Sequence, residues 1–271
     1  MRFMDKMKYF EGVASYKLLA KKEVGQNFLA DPGVAERIVS LLNLQKDDHV
    51  LEIGSGAGSL SFFLSLGPAQ SDLIDIDEAL VTKLQHDFEG NAFVRPLMGN
   101  AMRYDYSSYT KIIGNLPYYI TSGIVEKILL GANHASRVVL MVQKEAADRL
   151  MAKLGSKEYS PLSLYLNYVG TVKRAFNVPR TAFVPAPHIE STVITIDLLP
   201  EKHDDESAAM YQLAQKLFLY RRKTILNNLK TYLNDDNKAL AALQIAGIDP
   251  GLRPEDLTAG NYIALLRALK C

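Results

Sequence analysis

Short apolar runs alternate along the chain with segments whose apolar residues recur every three to four positions. This pattern predicts an α/β fold, a parallel sheet flanked by helices. Asp31-Pro32 marks the start of a helix running through Ile38, Leu41 and Leu42, with Asp31 as N-cap and Pro32 in the first position. His49-Val50-Leu51-Glu52-Ile53 reads as the first strand; it enters the turn Gly54-Ser55-Gly56-Ala57-Gly58, after which Leu60, Phe63 and Leu64 recur at helical spacing. Leu73 to Asp77 is a second strand, followed by a helical stretch from Glu78 to Phe88, and Phe93-Val94 opens a third that ends near Gly99-Asn100. Lys111 to Gly114 is the fourth, leading through Asn115-Leu116-Pro117-Tyr118-Tyr119 into a helix from Thr121 to Leu130; Val138 to Val142 is the fifth. Leu162 to Val169 and Ser191 to Leu198, rich in aromatic and β-branched residues, are expected to be strands that complete the sheet. Past the polar stretch Glu201 to Glu206, residues 207–271 read as helical, with loop signals at Gly247, Asp249-Pro250-Gly251 and Gly260.

A length of 271 residues favours two domains. The expected division is a flexible N-terminal segment over 1–24, an α/β domain over 25–200 and a small all-helical domain over 201–271. Hydrophobic residues at 48% and charged residues at 23% exclude disordered, collagen-like and coiled-coil classes. No apolar run approaches the roughly 18 residues of a membrane span. The first residues carry Asp5 and Glu11 and have no apolar core of a signal, so a cytoplasmic protein with no membrane partner is expected. The single cysteine, Cys271, precludes an internal disulfide or a CxxC knuckle, and the five histidines are scattered; no metal is expected.

Net charge is only +1, but its distribution is uneven. Residues 45–110 hold four Lys/Arg against ten Asp/Glu, whereas residues 137–180 hold eight against three. One stretch tolerates anions and the other repels them.

A strand running into a glycine turn that opens a helix presents free backbone N–H groups at the carboxyl edge of the sheet, where open α/β folds bind ligands. The spacing here is Gly54-x-Gly56-x-Gly58, with Ser59 where a dinucleotide fingerprint has its third glycine, and Glu52 lies two residues before the first glycine. An acid so close disfavours a pyrophosphate and suits a cofactor with a cationic amino-acid end, such as S-adenosylmethionine. A tight turn that needs glycine for its backbone alone is the competing reading. Asp75, 21 residues after Gly54, stands where a carboxylate accepts both ribose hydroxyls of an adenosine; Asp77 fits better as the cap of the following helix. Asn100 is either an acceptor for the adenine amino group or a turn residue after Gly99.

Asn115-Leu116-Pro117-Tyr118 follows a buried strand at the same edge. The exocyclic amine of adenine is a poor nucleophile because its lone pair is delocalised into the ring. The Asn115 side-chain oxygen and the Leu116 carbonyl can accept its two hydrogens and turn the lone pair outward, while Tyr118 stacks on a base taken out of its helix or loop. Pro117 holds the loop rigid, and positioning supplies most of the catalysis. An ordinary strand-to-helix turn is the alternative.

With these motifs in order, the chain resembles the small-subunit ribosomal RNA adenine N6,N6-dimethyltransferases of the bacterial kasugamycin-resistance type. The resemblance covers nearly the whole length: Gly25-Gln26-Asn27-Phe28-Leu29, Val50 to Gly56, Asn115 to Tyr118, Gln143-Lys144-Glu145 with Arg149, Gly155-Ser156-Lys157, Phe183 to Pro187 with Ser191, and Arg221-Arg222-Lys223-Thr224. It implies a Rossmann-like class I S-adenosylmethionine-dependent methyltransferase domain with a helical C-terminal domain. It implies Asn27 and Leu29 at the methionine end of the cofactor, Gly54 and Gly56 beside its carboxylate region, Asp75 at the ribose and Asn100 at the adenine, with Asn115 shared between cofactor and target. Asp75 stands where the family usually has Glu, and Asn100 where it usually has Asp. The first keeps the charge with a shorter reach and the second keeps an acceptor, so cofactor binding is expected to persist with some loss.

In the segment Met210 to Leu233, read as helix, Lys216, Lys223 and Lys230 recur every seven residues and form a stripe roughly 21 Å long, broadened by Arg221 and Arg222. Such a stripe suits a phosphate backbone, and a solvated helix face is the plain alternative. By resemblance, Arg221, Arg222 and Lys223 contact the small ribosomal subunit and its 16S rRNA. The substrate implied is a pair of adjacent adenosines in a hairpin loop near the 3′ end, each dimethylated at N6 by a monomeric enzyme with a role in small-subunit maturation. The related large-subunit enzymes of macrolide resistance, a predominantly ribosome-assembly role, and DNA adenine methylation remain as competitors.

Overall fold

A computed structural model describes residues 5–16, 27–117 and 120–270. Its elements begin with α1 (Lys6–Ser15), β1 (Phe28–Leu29), α2 (Pro32–Ser40), β2 (His49–Ile53), α3 (Ser59–Leu64), β3 (Gln70–Asp75), α4 (Glu78–Asp87) and β4 (Val94–Met98). There follow β5 (Lys111–Asn115), α5 (Thr121–Gly131), β6 (Arg137–Gln143), α6 (Lys144–Leu150), α7 (Pro161–Val169), β7 (Gly170–Val178), β8 (Phe183–Val184) and β9 (Ser191–Leu198). The last elements are the helices α8 (Asp205–Leu217), α9 (Ile225–Leu233), α10 (Asp236–Ala246) and α11 (Ala259–Lys270). The chain divides into two compact units, one of Met1–Ala147 with Val172–Leu198 and one of Asp148–Thr171 with Leu199–Cys271.

In the first unit a seven-stranded sheet has the order β4-β3-β2-β5-β6-β9-β7. Strands β2 to β6 pair in parallel, and β9 lies antiparallel to β6. Chain direction along the sheet reverses between β2 and β5, which makes the crevice at their carboxyl ends the natural ligand site. Val50, Leu51, Ile53, Ile112 and Ile113 are buried, as expected for central strands covered on both faces. Helix α2 starts as its sequence predicts: the Asp31 carboxylate accepts from the Gly33 and Val34 amides, with Pro32 in the first turn.

Five expectations are corrected. Part of the segment 1–24, expected to be flexible, is the helix α1: Asp5 caps it, and Tyr9, Phe10 and Val13 lie on one face and are buried in the core. Residues 17–24 lie outside the described residues. Leu162 to Val169 is helix rather than strand. Its Leu and Tyr residues suggested a sheet, but Ser160 and Ser163 form a reciprocal capping box across the first turn, with Pro161 in its first position, and the next strand, β7, begins only at Gly170. Because α7 packs on α8, with Tyr165 stacked on Tyr211 at 4.9 Å, residues 148–171 join the C-terminal helices instead of the 25–200 domain. Gly260 is the second residue of α11, not a loop: Thr258 and Asn261 exchange hydrogen bonds across the helix start.

The fifth concerns Met210 to Leu233, which is not one helix. After Leu217 the chain makes a 3-10 turn over Phe218–Tyr220 and restarts at Ile225, with Thr224 as N-cap. The seven-residue recurrence of Lys216, Lys223 and Lys230 therefore does not form one stripe. Lys230 is paired with Asp236 at 2.6 Å.

Candidate functional site

The carboxyl ends of β2, β3 and β5 open onto a cavity of about 450 Å³. It is lined by Asn27, Leu29, Gly54 and Gly56, by Asp75 and Asn100, and by Asn115, Leu116 and Pro117. The site residues expected from widely separated motifs are thus brought together. Tyr118 lies outside the described residues. Arg221, Arg222 and Lys223 belong to the other unit.

The glycine turn is anchored to the neighbouring strand. The Gly54 and Ser55 amides donate to the Ile74 carbonyl at 2.9 and 3.1 Å, and Gly56 follows at φ 53°, a left-handed conformation that a β-carbon would strain. From there the Gly56 amide donates to Asp75 Oδ2 at 2.8 Å, while the Asp77 amide donates to Asp75 Oδ1 at 2.9 Å. A carboxylate has about four acceptor sites, so these two amides leave it capacity for a ligand. Burial raises the Asp75 carboxyl above its ordinary range, against the lowering effect of the Asp77, Gly56 and Ile76 amides. Asp77 caps α4 through the Ala79 amide, the role expected of it. Asn100 takes its turn role, accepting from the Met102 amide at 2.9 Å, yet it still lines the cavity.

Beneath the turn, Glu52 is only 1% exposed, and its side chain accepts from Ser61 Oγ at 2.7 Å. Burial pushes its pKa up to about 8, against the lowering bond from Ser61 and with the nearby charge of Asp75 adding to the rise. The sequence pointed to this acid for its position near the glycines; its burial and its Ser61 partner, one helical turn into α3, carried no separate signal.

On the far wall, β5 lies close against β2. A β-carbon at Gly114 would come within 2.7 Å of the Ile53 carbonyl oxygen, so glycine permits the approach that sets Asn115 beside the turn. Asn115 Nδ2 donates to the Asn27 carbonyl at 3.5 Å, which leaves Oδ1 as the acceptor of that amide. The short β1 pairs antiparallel with β8, and Ser59 Oγ donates to the Leu29 carbonyl at 2.5 Å, so the Asn27 to Leu29 wall is tied to the helix that follows the glycine turn. Phe183 of β8 and Ile76 after Asp75 also face the cavity. Ile76 is 69% exposed, an apolar side chain open beside the Asp75 carboxylate; the sequence marked it only as a strand residue, and its exposure carried no signal there.

Among the described residues no group of three or more His, Cys, Asp or Glu could hold a metal ion, and no helix is long and apolar enough to cross a membrane.

The sequence profile of ribosomal RNA adenine dimethylases matches residues 17–270. The chain belongs to the ribosomal RNA adenine dimethylase family. It is similar to a ribosomal RNA small subunit methyltransferase A from Lactobacillus helveticus (strain DPC 4571), 36% identical over 270 residues and covering 93% of this chain and 92% of that protein. Another protein of that name, from Malacoplasma penetrans (strain HF-2), is 33% identical, with 96% of each chain covered. Among solved structures, a dimethyladenosine transferase from Plasmodium falciparum superposes with a TM-score of 0.75 at 25% identity, covering 87% of this chain and 94% of that one. The 23S rRNA methyltransferase ErmE shares the fold, with a TM-score of 0.66 at 22% identity over 90% of this chain and 100% of its own. The first unit of this family member is a Rossmann-like class I methyltransferase fold.

Proposed function

We propose that the cavity binds S-adenosylmethionine and that the protein dimethylates N6 of two adjacent adenosines in the hairpin loop near the 3′ end of 16S rRNA, as a monomer acting in the cytoplasm during small-subunit maturation. The observation that carries the reading is the meeting of Asp75 and the glycine turn with Asn115 in one cavity. The named relatives, ribosomal RNA small subunit methyltransferases A at 33–36% identity, favour the small-subunit target.

The residues present fit the cofactor. Asp75 offers acceptors for a ribose diol, exposed Ile76 offers an apolar surface for adenine, and buried Glu52 offers a carboxyl to a cationic amino-acid end. Gly54 and Gly56, with the Asn27 to Leu29 wall, bound the methionine end. When bound, S-adenosylmethionine supplies an electrophilic methyl group on a sulfonium. The protein's own task is orientation. Asn115 Oδ1 and the Leu116 carbonyl take the two hydrogens of the target amine and turn its lone pair out of conjugation, Pro117 keeps that pair of acceptors fixed, and Tyr118 stacks on the flipped base. No general base is required, because an alkylated N6 is acidic enough to lose its proton to water. Exposed Arg222 and Lys223 of the helical unit meet phosphates and orient the RNA.

Incubating isolated small and large ribosomal subunits with labelled cofactor, followed by mass spectrometry of the rRNA, tests this reading. Two dimethyladenosines in the small-subunit rRNA are expected; label confined to the large subunit would reject it.

A further inference from the structure

The turn between α8 and α9 presents more than basic residues. Phe218 is buried and stacks on Tyr262 with ring centroids 6.4 Å apart, yet the next two residues face outward, Leu219 at 70% exposed and Tyr220 at 48%. The turn that displays them is firmly held. Asn228, 2% exposed, shares the two hydrogens of its Nδ2 among the carbonyls of Tyr220, Lys223 and Thr224 at 3.1–3.2 Å, and the Lys223 amide donates to the Tyr220 carbonyl at 2.8 Å. Arg221 is drawn inward, with Nε on Glu255 and a second nitrogen on the Lys157 carbonyl. Arg222 and Lys223 remain exposed, and the Lys223 ammonium lies over one face of the Tyr220 ring, 4.6 Å from its centroid, so the opposite face is the one a further ring could stack on.

An exposed aromatic ring on a fixed turn, with one cation over its face and a second exposed cation two residues along the chain, is complementary to a polyanion that carries flat rings. A single-stranded nucleic acid offers both partners at each nucleotide, a base for the ring and a phosphate for the cations. We infer that Tyr220 is a stacking platform for an unpaired base of the rRNA, flanked by Leu219, with Arg222 and Lys223 on the adjoining phosphates. The inference deepens the rRNA reading above and rests on it. Sequence-tolerant stacking on an aromatic face is a common source of affinity for single-stranded nucleotides. Because Asn228 and Arg221 already hold the turn, little conformational freedom is lost on binding. The platform is distinct from the target-base loop at Asn115 and serves to seat the RNA.

The test measures binding to isolated small ribosomal subunits at several salt concentrations. Tyr220→Phe and Tyr220→Trp are expected to bind within about twofold of wild type, whereas Tyr220→Ala and Tyr220→Leu lose roughly fivefold to a hundredfold with the log–log salt slope unchanged. Full affinity in Tyr220→Ala overturns the platform. Rescue by Tyr220→Leu also overturns it, since that result means an apolar contact with a ribosomal protein. A loss accompanied by a flatter slope means Tyr220 only positions the two cations, and overturns it as well. The chain has no tryptophan, so Tyr220→Trp introduces a single indole. Its emission should be quenched on binding protein-free small-subunit rRNA, and an indole that stays bright in the bound state counts against stacking. Wild-type protein that binds neither particles nor rRNA faults the rRNA reading itself.

Discussion

The Gly56 amide donates to Asp75 Oδ2 at 2.8 Å, so the turn after β2 and the acid ending β3 are mechanically one piece. Replacing Asp75 by Ala removes the acceptor of both the Gly56 and Asp77 amides together with the proposed ribose contact. Cofactor affinity is expected to fall by roughly 1.5–3 kcal/mol, the range for hydrogen bonds to a charged group, with a lower melting temperature as well. Asp77→Ala should cost about 1 kcal/mol of stability as a lost helix cap and leave affinity near wild type. Calorimetry on both variants checks the assignment; the reverse pattern would move the ribose contact two residues along the chain.

Asn115→Ala should abolish methyl transfer to small-subunit rRNA while cofactor affinity stays within about tenfold, because the amide acts mainly on the target amine. Single-turnover rates beside calorimetric affinities separate the two effects. Turnover close to wild type would remove Asn115 from the mechanism.

Glu52 makes stability depend on pH in a direction opposite to that of a paired surface carboxylate. Its folded pKa, about 8, stands above the ordinary 4.5, so the folded state holds a proton that the unfolded chain has released. Stability therefore declines as pH rises from about 4.5 to 8 and levels off above. Glu52→Gln should flatten this decline in denaturant unfolding across pH 5–9 and be the more stable form at pH 8.5. It should also lose cofactor affinity, since the neutral amide has no charge to offer a cationic ligand. Wild-type affinity, by contrast, should strengthen towards pH 8 as the carboxyl ionises.

Arg222→Ala/Lys223→Ala should weaken binding to small ribosomal subunits and reduce the magnitude of the salt slope by up to roughly 0.7–0.9 for each lost phosphate contact. Arg221→Ala should behave differently. It leaves Glu255 and the Lys157 carbonyl without their partner, so its main effect is a lower melting temperature, modest because the pair is partly solvated. Salt-dependent binding beside thermal unfolding distinguishes them. Equal slope changes in the two variants would place Arg221 on the RNA.

The catalytic half was legible because its signals are local. Asp31-Pro32, the glycine turn, Asp77 as a cap and Asn115 at a strand end each combine a backbone requirement with a residue that meets it, and the α/β alternation sets their common edge. The helical half was less so, because its determinants are tertiary. The heptad recurrence of Lys216, Lys223 and Lys230 suggested one continuous helix, whereas Asn228, reaching back to three carbonyls, stabilises a break that no periodicity marks. In α7, Tyr165 and its apolar neighbours read as sheet residues until α8 is seen to cover them. Helix α1 was passed over because three buried side chains make a weak pattern on their own.

The C-terminal unit is assembled from two separate stretches of chain, and this sets the order in which it can fold during synthesis. Helix α7 begins at Pro161, but the helix that covers its Tyr165 begins only at Asp205 and α11 only at Ala259. At roughly 5–20 residues per second of translation, Tyr165 waits for seconds before Tyr211 is made, and α7 waits longer for α11. Over that interval the nascent chain carries an uncovered apolar helix while β7, β8 and β9 of the sheet unit are still being made, which makes α7 a segment that a nascent-chain chaperone would protect.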